Sequence, residues 1–269
     1  MSEVKIKAFV LDSLNYEEND KILTVYSDKY GKLSFISLGA NKPSSKNNFS
    51  LNLFSESEFE IFKSRNSKAI SKLKTGTLIN QNFNIAKSYN NYLFASIISS
   101  LILQENLFYN KDSKLFSMLK EAIDNINNER NPFSNMVWFL FYCLRYFGAE
   151  WELKSCYRCN KTSKIYRKFD LNDYGLVCPN CFTEKEEEQD NEFIKYLQRI
   201  DSNTFFTIQK FNINVSYEII ISKLILDYYI EELGVFSVSI KEILKKEVYN
   251  DATFLEYTNN VLTKHSNRD

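Results

Sequence analysis

The chain has 269 residues, of which 44% are hydrophobic and 15% aromatic, and its 34 basic and 34 acidic side chains cancel to a net charge of zero. That is enough apolar material for a sizeable core in more than one domain, and the charge balance excludes a globally basic nucleic-acid binder, leaving only local patches to carry such a role. The longest apolar run, residues 92–103, falls short of the ~20 residues needed to span a bilayer and is interrupted by Ser96, Ser99 and Ser100, so no membrane segment is expected.

Residues 1–80 read as strands. Val4–Leu11, Lys21–Tyr26, Lys32–Leu38, Phe59–Phe62 and Ala69–Ile79 are short runs rich in β-branched and aromatic residues, several alternating with a period of two. Ser27–Gly31 forms a hairpin turn between the second and third runs, and Gly39–Asn48 is a polar, basic loop. Five short strands in about eighty residues predict a small barrel of the oligonucleotide-binding (OB) fold.

Beyond Asn80 the period becomes helical. Tyr89–Leu107, Ser113–Ile126 and Phe133–Phe147 repeat apolar residues at helical spacing, the third with Pro132 in its first turn and Gly148 at its end. After a cysteine-bearing segment, in which Ile165–Phe169 and Leu176–Val177 read as small strands around a turn at Asp173–Gly175, helical patterning resumes over Glu192–Ile200, Ser216–Leu233 and Val238–Val248, and the tail begins as helix and frays. The predicted class is α+β: an N-terminal five-stranded OB-fold barrel, residues 1–80, and an α-helical domain, residues 81–269, into which a zinc knuckle at about 151–185 is inserted.

That knuckle is the strongest motif. Cys156-Tyr-Arg-Cys159 and Cys178-Pro-Asn-Cys181 are separated by eighteen residues, a spacing expected of a four-thiolate zinc site. Two facing Cys-x-x-Cys turns complete a tetrahedral shell and leave no position for water or substrate, so a structural Zn2+ is expected at Cys156, Cys159, Cys178 and Cys181. A disulfide pair would need an oxidising compartment, and the chain opens with no apolar export segment; two copies of the motif argue against a thioredoxin-type site. A reducing cytoplasm is therefore expected, and Cys143, in an apolar stretch, reads as a buried thiol.

Within the knuckle, Arg158, Lys161, Lys164, Arg167 and Lys168 follow Lys154 with no intervening acid, and a mostly acidic stretch, Glu184–Glu188, comes just after it. The basic run either offsets the charge of four thiolates or touches phosphate. Catalytic chemistry is poorly provided for. His265 is the one histidine, and the six glycines form no phosphate-binding loop, so an enzyme is not expected. Binding is the better class: Lys42, Lys46, Lys63, Arg65, Lys68, Lys72 and Lys74 crowd the loop and last strands of the barrel, where they would track a phosphate backbone. Tyr26, Tyr30, Phe35 and Phe49 are candidate base-stacking platforms, with Phe35 read as core. Two other classes stay open, a zinc-ribbon and OB interaction protein for RNA or protein, and a metal-dependent nuclease built on carboxylates, for which no acid pair stands out.

The segments Glu18–Ile22, Lys29–Lys32, Gly39–Lys46 and Tyr174–Phe182, in this order and spacing, resemble the RecO family of bacterial recombination mediators over nearly the whole chain. The resemblance implies a DNA repair protein without enzymatic turnover, cytoplasmic and nucleoid-associated. Such a protein binds single- and double-stranded DNA, anneals complementary strands and acts with RecR to load RecA onto strands coated by single-stranded-DNA-binding protein (SSB). It implies DNA contacts from Lys32, Lys42 and Lys46, and a helical domain that receives the acidic C-terminal tail of SSB. The sequence departs from the family pattern at Asn41, where a second basic residue is common.

Overall fold

The computed structural model describes residues 2–64, 70–104, 108 and 110–263. Contacts divide the chain into two compact units, residues 1–139 and 140–269.

In the first unit, five strands, β1 (Ser2–Tyr16), β2 (Asp20–Ser27), β3 (Gly31–Ser37), β4 (Glu56–Lys63) and β5 (Ser71–Asn80), close into a barrel in the order β1-β2-β3-β5-β4. All pairings are antiparallel except β3 with β5, where Phe35 and Ile36 lie opposite Ser71 and Lys72. Alternation sorts the side chains. Ile6, Ala8, Val10, Leu23, Val25, Phe35, Phe59 and Ile61 fill the interior, with the Phe35 and Phe59 rings 5.1 Å apart. The next phase, Phe9 and Tyr26, points outward and is covered by Phe116 of a following helix, at ring distances of 5.7 and 6.5 Å.

β1 is longer than its apolar core predicts because the pairing continues through a bulge between Val10 and Asp12. The extra residue reverses the phase of the strand. Ser13 lies opposite the core residue Leu23, so Leu14 and Tyr16 face outward and are 58% and 44% exposed.

Three helices follow. α1 (Tyr89–Leu103) is capped by the Ser88 side chain and α2 (Ser113–Asn127) by Asp112, which accepts from the Leu115 amide at 2.9 Å; such caps contribute about 1 kcal/mol each. α3 (Pro132–Cys143) gives way to a 3-10 turn over Leu144–Phe147, ended by Gly148 in the left-handed region. The predicted third helix thus changes character in its last turn, and residues 105–107 of the predicted first helix lie outside the described residues. Cys143 is buried, as predicted.

The second unit carries a small sheet of β6 (Glu152–Cys156), β7 (Lys168–Asp170) and β8 (Gly175–Val177), in the order β6-β8-β7. β6 has no alternating sequence signature; its register comes from parallel pairing with β8. The helices are α4 (Asn191–Ser202), α5 (Phe205–Ile208), α6 (Val215–Glu231), α7 (Val238–Leu244) and α8 (Asp251–Leu262). The predicted helix over Val238–Val248 stops earlier, with a 3-10 turn at Glu247–Tyr249, and Asn250 then caps α8. Aromatic contacts join the sheet to the helices: Trp151 meets Phe141 of α3 at 5.6 Å and Tyr174 at 5.5 Å, and Tyr174 meets Tyr228 of α6 at 4.6 Å.

The β2-β3 turn has no room for a side chain. Gly31 has φ +66°, and a Cβ there would meet the Phe108 and Asn110 carbonyl oxygens at 2.7 and 2.4 Å. Gly31→Ala is expected to lose at least about 2 kcal/mol through backbone strain and this clash; a denaturant midpoint equal to that of the wild type would show that the turn yields instead.

Candidate metal centre and nucleic-acid interface

The metal centre is assembled by the small sheet. β6 ends at Cys156 and β8 runs into Cys178, and their pairing sets Cys156 opposite Leu176. Each knuckle is then a tight turn. The Asn160 amide donates to the Cys156 carbonyl at 2.7 Å, with Asn160 in the left-handed region, and the Cys181 and Phe182 amides donate to the Cys178 carbonyl at 3.1 and 3.0 Å. Gly175 is required beneath this arrangement, since a Cβ there would lie 2.6 Å from that of Tyr157.

The four Sγ atoms lie within 4.8 Å of one another, and those of Cys159 and Cys178 are 3.9 Å apart. A tetrahedral ion with ~2.3 Å bonds to sulfur separates its ligands by about 3.8 Å, so these four residues could hold a metal ion with little movement. Among the described residues this is the one grouping of three or more potential ligands close enough to do so. Burial pushes the Cys156 thiol up, but the Cys178, Cys159 and Arg158 amides outweigh it and bring the pKa down to about 6. The Cys178 amide donates to this sulfur at 3.4 Å. Cys181 is pushed up to about 12, first by its hydrogen bond with the Cys159 sulfur and then by burial. A bound ion would take the place of the thiol protons.

The basic run of the knuckle is mostly engaged by acids. Arg158 forks onto Glu186, its two terminal nitrogens donating at 2.9 and 2.7 Å, and one of them also reaches Asp170 at 3.3 Å. Lys168 pairs with Asp170 and Glu186 at 3.3 and 3.4 Å, and Arg167 with Glu188 at 2.6 Å. The Arg158 guanidinium holds the Glu186 carboxyl well below the usual carboxylate range. Lys161 and Lys164 are exposed. The acidic stretch after the second knuckle is thus the partner of the basic run, a pairing that the sequence hinted at by adjacency alone.

On the barrel, the loop after β3 is fastened to the β1-β2 turn. The Gly39 amide donates to the Asp20 carboxylate at 2.7 Å, the Asn41 amide to the Asn19 carbonyl at 2.9 Å, and the Asn41 side chain to that of Asn15 at 3.2 Å. Lys42 and Lys46 are exposed on this loop. Lys72 is exposed on β5, while Lys63 is half-buried with its ammonium 4.9 Å from the Tyr30 ring. Lys74 pairs with Glu3 at 2.6 Å and Glu60 at 3.5 Å. Arg65 and Lys68 lie outside the described residues.

Lys32 departs from the predicted surface position. It is 6% exposed, and its ammonium donates to the Leu103 carbonyl at 3.1 Å and to that of Gln104. A cation suits the unpaired carbonyls at a helix C-terminus, so Lys32 ties β3 to α1. Of the predicted stacking aromatics, Tyr26 and Phe35 are buried and Tyr30 is half-buried, leaving Phe49 at 63% exposure. Sequence reasoning missed Tyr16 and its neighbours. Leu14, Ile22, Ile36 and Lys72 are successive cross-strand partners on the outer surface of β1, β2, β3 and β5, and Leu38 beside them is 62% exposed. The bulge that turns Leu14 outward has no sequence signal.

Two family models match most of the chain. Residues 1–82 match the model described as Recombination protein O N terminal, and residues 86–238 match Recombination protein O C terminal. The chain belongs to the RecO family. It is 76% identical over 266 residues to a DNA repair protein RecO of Mesoplasma florum, covering 99% of this chain and all of the relative. A RecO protein of Mycoplasma mycoides is 35% identical over 88% of this chain and 95% of its own length, and one from Alkaliphilus metalliredigens is 24% identical over 90% and 99%. RecO proteins are DNA repair proteins, and in this member no described helix is long and apolar enough to cross a membrane.

Purified protein is expected to carry one tightly held metal ion per chain by elemental analysis. Cys178→Ser is expected to lose it and to expose residues 151–185 to proteolysis; a metal-free wild type with the same protection would remove the metal centre.

Proposed function

We propose that this chain is a recombination mediator that acts by binding rather than by turnover. It holds single- and double-stranded DNA, anneals complementary strands, and helps RecR load RecA onto DNA coated by SSB, whose C-terminal tail docks on the helical domain. What carries the reading is a RecO match over nearly the whole chain, together with a barrel that presents the exposed cations Lys42 and Lys46 on a fastened loop. Cytoplasmic, nucleoid-associated placement follows from the same role.

The functional division is placed at residue 80. Residues 1–80 form an OB-fold nucleic-acid-binding domain, and residues 81–269 a helical domain with its zinc subdomain at about 151–185; the gap between the two family matches, from 82 to 86, supports this boundary. The ion in the four-cysteine site is Zn2+, which four thiolates suit in charge and geometry. It supplies no chemistry to substrate there and holds the two knuckles together.

On the barrel, DNA is tracked by Lys42, Lys46 and Lys72, with Lys63, Arg65 and Lys68 as further contacts. OB folds use the face centred on the second and third strands for oligonucleotides, and here that face carries Tyr16, Leu14 and Leu38 beside the lysines. A tyrosine ring gives a base a stacking surface, while the cations offset phosphate charge. Two strands held on one basic surface repel each other less, which favours their meeting with base edges free. Lys74 is a weaker contributor, because Glu3 and Glu60 already neutralise it.

The double variant Lys42→Glu/Lys46→Glu is expected to weaken binding to single-stranded DNA of any sequence, to reduce the slope of log K against log salt by about 1.4, and to slow annealing of SSB-coated strands. Fluorescence anisotropy from low to moderate salt measures this, with RNA and duplex of equal length run alongside. Unchanged slope would remove the loop from the interface, and preferential binding of RNA would overturn DNA as the ligand.

A further inference from the structure

The ion pairs around Arg158 do more than neutralise charge. Arg158 sits between two metal-ligating positions, Cys156 and Cys159, and its guanidinium reaches three segments at once. One terminal nitrogen donates to the Cys181 carbonyl at 2.9 Å, so the first knuckle grips the backbone of a ligand in the second. The fork onto Glu186 fixes the segment that leaves the second knuckle, and the contact with Asp170 fixes β7. Glu186 is itself positioned, accepting from the Thr183 amide and hydroxyl, both at 3.0 Å. Lys168 closes the network by pairing with Asp170 and Glu186. The Asp170 and Glu186 side chains are 7% and 15% exposed, and that of Arg158 is 27% exposed, so these pairs are much less solvated than Arg167 and Glu188, at 44% and 32%.

We propose that Arg158 and Glu186 form a latch that sets how tightly, and for how long, the four-cysteine site holds its metal ion. This rests on the reading that the site binds zinc. The physical argument is one of orientation. Cys159 and Cys181 are the two partly exposed ligands, one on each knuckle, so an ion would leave most readily on the side where Arg158, next to Cys159, ties down the loop that carries Cys181. Arg158 holds that loop by its carbonyl, and Glu186 holds Arg158 in the rotamer that reaches it. Arginine is the residue suited to this, because its planar fork engages a carboxylate with two hydrogen bonds while a donor remains for the carbonyl. Lysine would keep the charge but lose the fork. Arg158 and Glu186 are positioning residues: neither is a ligand, and partners outside the ligand set commonly change metal affinity by about 10- to 100-fold.

The basic run therefore has a third use besides the two considered from sequence. Its two best-buried cations, Arg158 and Lys168, neither lie free for phosphate nor merely offset the thiolates, since they converge on the same carboxylates, Asp170 and Glu186.

Zinc transfer from the full-length protein to a chromophoric chelator tests the latch, with the visible spectrum of the cobalt-substituted protein as a second readout. Glu186→Gln and Arg158→Lys are each expected to lower zinc affinity about tenfold or more and to speed release, while the cobalt–thiolate bands keep a tetrahedral pattern. Glu188→Gln, which breaks the outer pair with Arg167, is expected to release zinc at the wild-type rate. Wild-type release from both latch variants, or equal acceleration by Glu188→Gln, would overturn the latch while leaving the zinc site in place. A wild-type protein with no zinc to transfer would overturn both.

Discussion

Much of the second unit depends on one short pairing, that of β6 with β8. Strands of five, three and three residues are too short to make a sheet that persists in water. The pairing becomes worthwhile because it brings four sulfurs together, and the sulfurs become a site because the pairing is present. The two are coupled through Cys156, which ends β6, is buried, and accepts a hydrogen bond from the Cys178 amide. Aromatic rings, Trp151 and Tyr174 foremost, then carry the sheet onto α3 and α6. An ion held by these four cysteines would brace the sheet and its surroundings.

The barrel follows a different logic, in which side-chain alternation does nearly all the work and a single irregularity redirects it. Up to Val10 the inward phase of β1 is apolar, and Phe9 on the outward phase is covered by α2. Past the bulge the phases exchange, and Leu14 and Tyr16 are left exposed, as is Leu38 just after β3, beside the half-buried Ile22 and the buried Ile36. Exposed apolar side chains grouped in this way mark contact surfaces more often than accidents of packing. The same strands bury Lys32, which sits one register from the turn and finds the carbonyl end of α1 rather than solvent.

Where the sequence was legible, the signal was local. Five strands, the helices on either side of the knuckle and the two Cys-x-x-Cys turns can all be read from periodicity and spacing, because neighbours in sequence determine them. What escaped is non-local. β6 gains its conformation from pairing with β8. The fates of individual lysines were least legible. Lys32, Lys42 and Lys74 look alike in sequence, yet one caps a helix, one is exposed on a loop and one is held by two glutamates. Likewise Glu184–Glu188 is only a mostly acidic stretch in the sequence until the fold lays Glu186 across Arg158.

The fastening of residues 39–41 to the β1-β2 turn bears on the entropy of binding. A polar loop of this composition would ordinarily sample many conformations, and a polyanion arriving there would have to freeze them. Here Gly39 and Asn41 are already anchored through Asp20, Asn19 and Asn15, so that entropy is lost during folding rather than at the moment of contact. Asn41, the position at which the chain forgoes a basic residue, exchanges an electrostatic contact for preorganisation. For the proposed contact of Lys42 with a phosphate backbone, this anchoring lessens the backbone entropy to be lost on binding.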